Sequence, residues 1–195
     1  MYLKNAIKHF KLITKHKWVV FKLCIKVGEP WRGLVHDISK YSPTEFFESI
    51  KYFNGKYSPI TVCKKDIGYS SAWLHHKGRN KHHTEYWVDL QAPDKTPMIP
   101  YKYVAEMLCD KLAAGIVYEG KNWTKEYELQ YWLNERSNIL VNEQIKKLIT
   151  DFFTQVSEVG IDKALTKSNV KALYNKYCVN KENDIKNNTK IPKEN

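Results

Sequence analysis

The stretch LKNAIKHFKLITKHKWVVFKLCIKV, Leu3 to Val27, contains no glycine or proline, and Gly28 follows it directly. At 100° per residue, Lys4, Lys8, Lys11, Lys15, Lys22 and Lys26 fall within an arc of about 60°. Leu3, Ile7, Phe10, Ile13, Val20, Leu23, Cys24 and Val27 fill the other side. The pattern predicts one long amphipathic helix with its apolar side on a core. His16 lies inside the apolar arc, three residues after Ile13 and four before Val20, and His9 shares its stripe. Taken alone, a histidine there is a satisfied core residue; the rest of the chain decides whether His16 is alone.

Moving outward, Gly28-Glu29-Pro30 ends this helix, and a second is expected from about Trp31 to Lys40. Ser42-Pro43-Thr44-Glu45 has the form of a helix start, with Ser at the N-cap, Pro in the first turn and Glu at the third position. Further helices are expected over about 64–76, 101–119, 124–135, 141–158 and 168–177, with a loop over 77–100 that carries Pro93, Pro97 and Pro100. No segment alternates like a β-strand. The expectation is an all-α chain: a helical core over 1–120, a C-terminal helical extension of the same domain over 121–179, and a flexible polar tail over 180–195.

Composition narrows the function classes. There are 32 Lys plus Arg against 21 Asp plus Glu, a formal charge of +11. Residues 1–40 hold nine of those bases and two acids. The basic face of the first helix reads either as a solvated surface or as one for phosphate backbones or anionic lipid. No Arg/aromatic interleaving of an RNA-binding sheet and no helix-turn-helix pattern accompanies it. Cys24, Cys63, Cys109 and Cys178 never form CxxC, so zinc-finger spacing is absent and reduced thiols are expected. No apolar run approaches the roughly 18–20 residues of a membrane span. The charged start MYLKNAIKHFKL is unlike a secretory signal, and a cytoplasmic location is the default expectation.

Chemistry gathers elsewhere. Six of the seven histidines lie between residues 16 and 83, and His36-Asp37, His75-His76 and His82-His83 are adjacent pairs. Asp110 falls among Tyr103, Met107, Ala113, Ala114 and Val117 on its predicted helix, with no Lys or Arg three or four residues away. A carboxylate on an apolar face costs several kcal/mol unless it is paired or binds a metal. Leu34, Val35 and Ile38 place His36-Asp37 near the core as well. Mixed His and Asp donors suit Fe, Mn, Co, Ni or Zn, as one or two divalent ions.

These residues resemble the HD-domain superfamily of metal-dependent phosphohydrolases. Leu34-Val-His-Asp-Ile-Ser-Lys40 is similar to that family's L-x-H-D-I-G-K segment, and Met107-Leu-Cys-Asp-Lys-Leu112 looks like its late A-D-K/R-L helix. Trp73 to Trp87 also resembles a bacterial and phage group with an HHxxNxHHxEYW segment. The resemblance covers about residues 10–120 and implies an HD-like helical bundle. It implies metal ligands at His16, His36, Asp37 and Asp110, with Asp37 bridging if two ions bind. The resemblance further implies that one histidine from each of His75/His76 and His82/His83 would complete the donor set of the second ion. Lys40 matches a lysine that lies by the substrate phosphate. Ser39 replaces the usual glycine, and the HHExxxGxGYP signature of the cyclic-dinucleotide branch is absent.

The expected function is hydrolysis of a nucleotide or other small phosphoester by metal-activated hydroxide. Asp37, Lys40 and Arg79 are the expected catalytic groups, the two cations meeting developing negative charge. Asn80 and Glu85 are expected to orient imidazoles. Trp73, Tyr86 and Trp87 read as packing residues or as a stacking surface for a base. Two alternatives stand beside this: a di-iron oxygenase on the same scaffold, and a basic nucleic-acid-binding module with a residual metal site. A small phosphorylated substrate is the favoured partner, nucleic acid a less favoured one, and homodimerisation is left open.

Overall fold

A computed structural model describes residues 2–179; the tail expected over 180–195 lies outside the described residues. The fold is all-α, with no strand among the described residues. The first helix, α1 (Tyr2–Lys26), forms as the periodicity requires, with His9, Ile13, His16, Val20, Leu23 and Cys24 buried. The apolar side nevertheless divides. Leu3, Ile7 and Phe10 remain exposed, and so do Trp18 and Ile25.

The second helix is shorter than its pattern suggests. α2 (Pro30–Val35) stops before His36, and a 3₁₀ turn, Ile38–Tyr41, follows. Asp37 sits between them with φ 52°, the left-handed region that L-residues other than Asn and Asp adopt at a cost. That inversion breaks the helix and turns His36 and Asp37 inward; they are 1% and 2% exposed. Gly33 permits the close crossing of α2 over α1, because a Cβ there would stand 2.8 Å from the Phe21 Cα and the Cys24 Cβ.

α3 (Pro43–Tyr52) starts as its capping residues indicate, with the Ser42 hydroxyl accepting from the Glu45 backbone N–H. The helix expected over 64–76 is two helices. α4 (Pro59–Ile67) and α5 (Ser71–Arg79) are separated by Gly68 at φ 84°, a left-handed C-cap. The Ser70 hydroxyl then caps α5 at the Trp73 N–H. The loop over 77–100 contains one 3₁₀ turn, Thr84–Trp87.

α6 (Tyr101–Glu119) is the central helix, buried at Val104 through Cys109 and again at Leu112, Ala113, Gly115 and Val117. A helix apolar nearly all round has neighbours on most sides. α7 (Tyr127–Glu135), α8 (Glu143–Val159), the short α9 (Ile161–Ala164) and α10 (Lys167–Tyr174) close one flank. Trp132, Phe152, Phe153, Ile145 and Leu148 are fully buried there and join Val20, Cys24 and Leu108 in one apolar cluster. The opposite flank of α6, facing α1 and α2, carries the polar side chains instead.

Candidate metal centre

Four elements deliver donors to one place. α1 brings His16, the α2 break brings His36 and Asp37, the α5 end and the following loop bring His76, His82 and His83, and α6 brings Asp110. His16 Nε2 lies 2.9 Å from Asp110 Oδ1. His36 Nε2 is 3.2 Å from Asp37 Oδ2 and 3.4 Å from Asp110 Oδ1. On the other oxygen, Asp37 Oδ1 is 3.3 Å from His76 Nε2 and 3.4 Å from His82 Nε2. The Nε2 atoms of His76 and His83 are 2.9 Å apart. Two groups of four result: His16, His36, Asp37 and Asp110, and Asp37, His76, His82 and His83. Within each group the donor atoms lie within 4.8 Å of one another, and Asp37 belongs to both.

The donors fit a cation better than they fit each other. His36 Nε2, Asp37 Oδ1 and His82 Nε2 are buried and make no hydrogen bond. An unpaired buried polar atom costs about 1–3 kcal/mol, and three converging on one space is an arrangement that a bound ion relieves. These buried groups could therefore hold a metal ion.

The electrostatics agree. Burial pushes the Asp37 carboxyl up, but His36, Lys40 and His76 outweigh it and hold it well below the usual carboxylate range. Asp110 is held well below that range too, where His16 and His36 overcome its burial. Burial, with His82 and His76 beside it, pushes His83 well below the usual imidazole value. His16 is lowered by burial against its bond to Asp110. Ionised carboxylates and neutral imidazoles are the ligating forms. His36 goes the other way: burial is outweighed by Asp37, Asp110 and Glu106, which raise it well above the ordinary value. A cation and a proton compete for that position.

Two carboxylates absent from the sequence expectation orient the imidazoles. Glu106 on α6 is completely buried; it accepts from His36 Nδ1 at 3.0 Å, lies 3.1 Å from His82 Nδ1 and pairs with Arg32 at 2.7 Å. His36, His82 and Glu106 also form a three-residue group. There the imidazoles present their Nδ1 sides, which suits N–H donation to Glu106 and leaves Nε2 for the ion. Glu45 accepts from His76 Nδ1 at 2.8 Å and from His75 Nδ1 at 2.7 Å. Asn80 donates to the Ser39 hydroxyl and the His76 carbonyl, both at 2.8 Å. Glu106 was legible: it is a charged residue four positions before Asp110, inside the same apolar stripe. Glu45 carried no such signal, because its place in a capping pattern already accounted for it.

Three expected residues lie elsewhere. His75 is held by Glu45 and belongs to neither group of four, since its helical position turns it from Asp37. Both His82 and His83, rather than one of them, join His76. Arg79 is exposed and donates to the His75 carbonyl at 3.4 Å. Glu85 is exposed and accepts from Thr84 at 3.2 Å rather than from an imidazole. Lys40 does reach the cluster, with Nζ 2.6 Å from Asp37 Oδ2. Burial would lower this ammonium, but Asp37 and Asp110 raise it above the ordinary lysine value. Among the aromatics, Trp73 stands edge-on to His83 at 5.0 Å, while Trp87 packs on the core and donates to the Lys81 carbonyl.

A two-armed cleft opens over the cluster. The inner arm, about 210 Å³, runs past Lys40, Trp73 and His9. The outer arm, about 580 Å³, is walled by Tyr57, Tyr118, Tyr127, Tyr131, Lys111 and Glu128. Both arms touch His83 and Asp110. A third concavity of about 590 Å³, bordered by Arg136, Lys146 and Tyr177, contains none of the donors.

Glu128 fills a notch in α6. A Cβ at Gly115 would stand 1.8 Å from its Oε1, and Trp123 Nε1 donates to that oxygen at 3.3 Å. Burial pushes this carboxyl up to about 7, against the Trp123 bond. Between pH 4.5 and about 7 the folded protein therefore binds more protons here than the unfolded chain, so this group's contribution falls as pH rises. Glu128→Gln is expected to raise unfolding stability by about 1–3 kcal/mol above pH 7 and to change nothing below pH 4.5, read by urea titration at both ends.

Comparison with known families matches residues 5–155 to a family described as "Family of unknown function (DUF5662)". No curated protein and no solved structure matches.

Proposed function

We propose that this chain, which belongs to the family of unknown function DUF5662, is a two-metal phosphohydrolase acting on a small phosphoester, with a nucleotide as the first class to test. The observation that carries the reading is Asp37: one buried carboxylate shared by two four-residue donor groups, with donor atoms on both sides left without hydrogen bonds. A carboxylate shared by two donor groups is the arrangement with which a two-ion phosphoester-cleaving centre would be held. His16, His36, Asp37 and Asp110 would hold one ion, and Asp37, His76, His82 and His83 the other.

Bound divalent ions of the Fe, Mn, Co, Ni or Zn type supply Lewis acidity and a water whose pKa falls toward neutrality. The protein supplies the rest. Lys40 faces the inner arm with a permanent charge, placed to receive a phosphoryl oxygen. Glu106 and Glu45 fix the tautomers, accepting hydrogen bonds from Nδ1 of His36 and His76 so that Nε2 is free to ligate. The tyrosine-rich outer arm has room for the rest of the ester. The phosphoester part of the reading rests on Lys40 together with the resemblance of residues 34–40 and 107–112 to HD-domain hydrolases.

Metal analysis of the purified protein, followed by a phosphoester screen with Mn, Co, Ni and Fe, tests this. Two transition-metal ions per chain and metal-dependent phosphate release are expected. Two irons with oxygen-consuming turnover overturn the hydrolase in favour of an oxygenase. A protein that takes up no stoichiometric metal overturns the centre itself.

A further inference from the structure

α1 has three sectors, where a surface helix ordinarily has two. One is buried and carries His9, His16 and Val20. The next ~80° of the wheel carries Leu3, Ile7, Phe10, Trp18 and Ile25, at steps of four, three, eight and seven residues that keep one helix face, and all five are about half or more exposed. The lysine row Lys4, Lys8, Lys11, Lys15, Lys22 and Lys26 borders that sector directly.

The neighbouring segment extends the apolar sector. Trp31, Leu34 and Ile38 are 67%, 51% and 57% exposed. Lys17 donates to the Leu34 carbonyl at 2.6 Å, and Phe10 meets Tyr41 edge-on at 5.8 Å, so the two segments present one surface. Lys22 lies over the Trp18 ring at 5.3 Å, which joins the aromatic and basic sectors. On the basic side, Asn5, Lys8, Lys11, Lys15 and Asn54 border a groove of about 400 Å³.

Contiguous exposed apolar groups of this number mark a contact surface on a soluble fold. The charge says which kind. A second copy of the chain placed face to face would bring two lysine rows to one interface. A nucleic acid would use the lysines and leave Trp18, Trp31 and Leu34 in water. A bilayer surface uses both, because aromatic and aliphatic groups enter the headgroup boundary while lysines meet anionic phosphates.

We propose that α1 and the Trp31–Ile38 segment form a peripheral docking face for anionic phospholipid membranes. Among the described residues no helix is long and apolar enough to cross a bilayer, and the attachment proposed is a superficial one. The Trp31–Ile38 segment also carries His36 and Asp37, but these two point inward while Trp31, Leu34 and Ile38 point out, and none of the exposed side chains is a donor, so the proposal stands or falls independently of the hydrolase reading.

The test uses the full chain with vesicles of phosphatidylcholine alone and of phosphatidylcholine mixed with phosphatidylglycerol. Co-sedimentation is expected with the mixed vesicles only, weakening as salt is raised, with blue-shifted tryptophan emission quenched by brominated lipid. Reversing Lys8, Lys11 and Lys15 to Glu is expected to weaken binding by on the order of a hundredfold or more. W18S with W31S is expected to abolish the quenching while circular dichroism stays unchanged. No binding to mixed vesicles at low salt overturns the proposal. So does lipid binding that both variants leave intact, micromolar self-association lost in W18S, or binding to duplex DNA that exceeds binding to the vesicles.

Discussion

Asp37→Asn is expected to release metal from both donor groups and to lower phosphatase activity by on the order of 10³-fold or more, with the fold retained. The size follows from the position. Asp37 is the donor common to both groups, so in the proposed centre its charge would be set against both ions. Metal assistance in such centres contributes several kcal/mol, and about 1.36 kcal/mol corresponds to tenfold in rate. Asparagine is the informative replacement for a backbone reason. Asp37 holds φ 52°, the one positive φ at a non-glycine residue among those described. Asn tolerates that conformation nearly as well as Asp, whereas Asp37→Ala adds a strain of about 1–2 kcal/mol that confuses folding with ligation. Metal content by mass spectrometry, thermal unfolding with and without added Mn, and phosphate release should be read together. A variant that keeps both ions and its activity refutes the assignment of Asp37 as the shared ligand.

The same left-handed turn marks where the sequence stopped being legible. The apolar spacing of residues 31–40 is that of a continuous helix, and only the geometry of Asp37 shows that the helix breaks to present the dipeptide. Gly68 is the parallel case: its helix-compatible surroundings hid a left-handed cap between α4 and α5. The long elements α1, α6 and α8 were legible because amphipathic or wholly apolar periodicity over many residues leaves few alternatives. His16, His36, Asp37 and Asp110 were legible for another reason, each being polar at a position that packing should make apolar. That criterion measures orientation along one helix and is silent about distance between helices. It could not choose among the paired histidines and so admitted His75, while Arg79 and Glu85 entered only as charged neighbours of those pairs along the chain. It also failed on α1, where apolar residues were assigned to one buried side although Leu3, Ile7 and Phe10 face outward. Nothing in a wheel distinguishes an apolar sector that is covered from one that is not.

Glu106 carries the second large effect, through stability as well as ligation. It is completely buried, and it alone joins Arg32, His36 and His82. Glu106→Ala leaves a guanidinium and two imidazoles facing a cavity, and removing one partner of a buried pair typically costs 3–5 kcal/mol, so a loss of about that size is expected. Glu106→Gln preserves the volume and isolates the charge. Burial pushes the Glu106 carboxyl up, but the bonds from His36 and His82 outweigh it and bring it down to about 2, from an unfolded value near 4.5. A carboxyl depressed in the folded state contributes stability that is fully present above pH 4.5 and is lost as pH falls toward about 2. The wild-type protein should therefore lose up to about 3 kcal/mol through this group across that window, and E106Q should lack that part of the acid transition. Its metal affinity at neutral pH should fall about 10–100-fold, because His36 would lose the anion that accepts its Nδ1 hydrogen bond and His82 the carboxylate 3.1 Å from its Nδ1, the contacts that turn each Nε2 toward an ion. Urea titrations across the acid range and competition with a chelator separate the two effects. An E106Q protein whose acid midpoint and metal affinity both match wild type would show that Glu106 fills space without orienting the imidazoles.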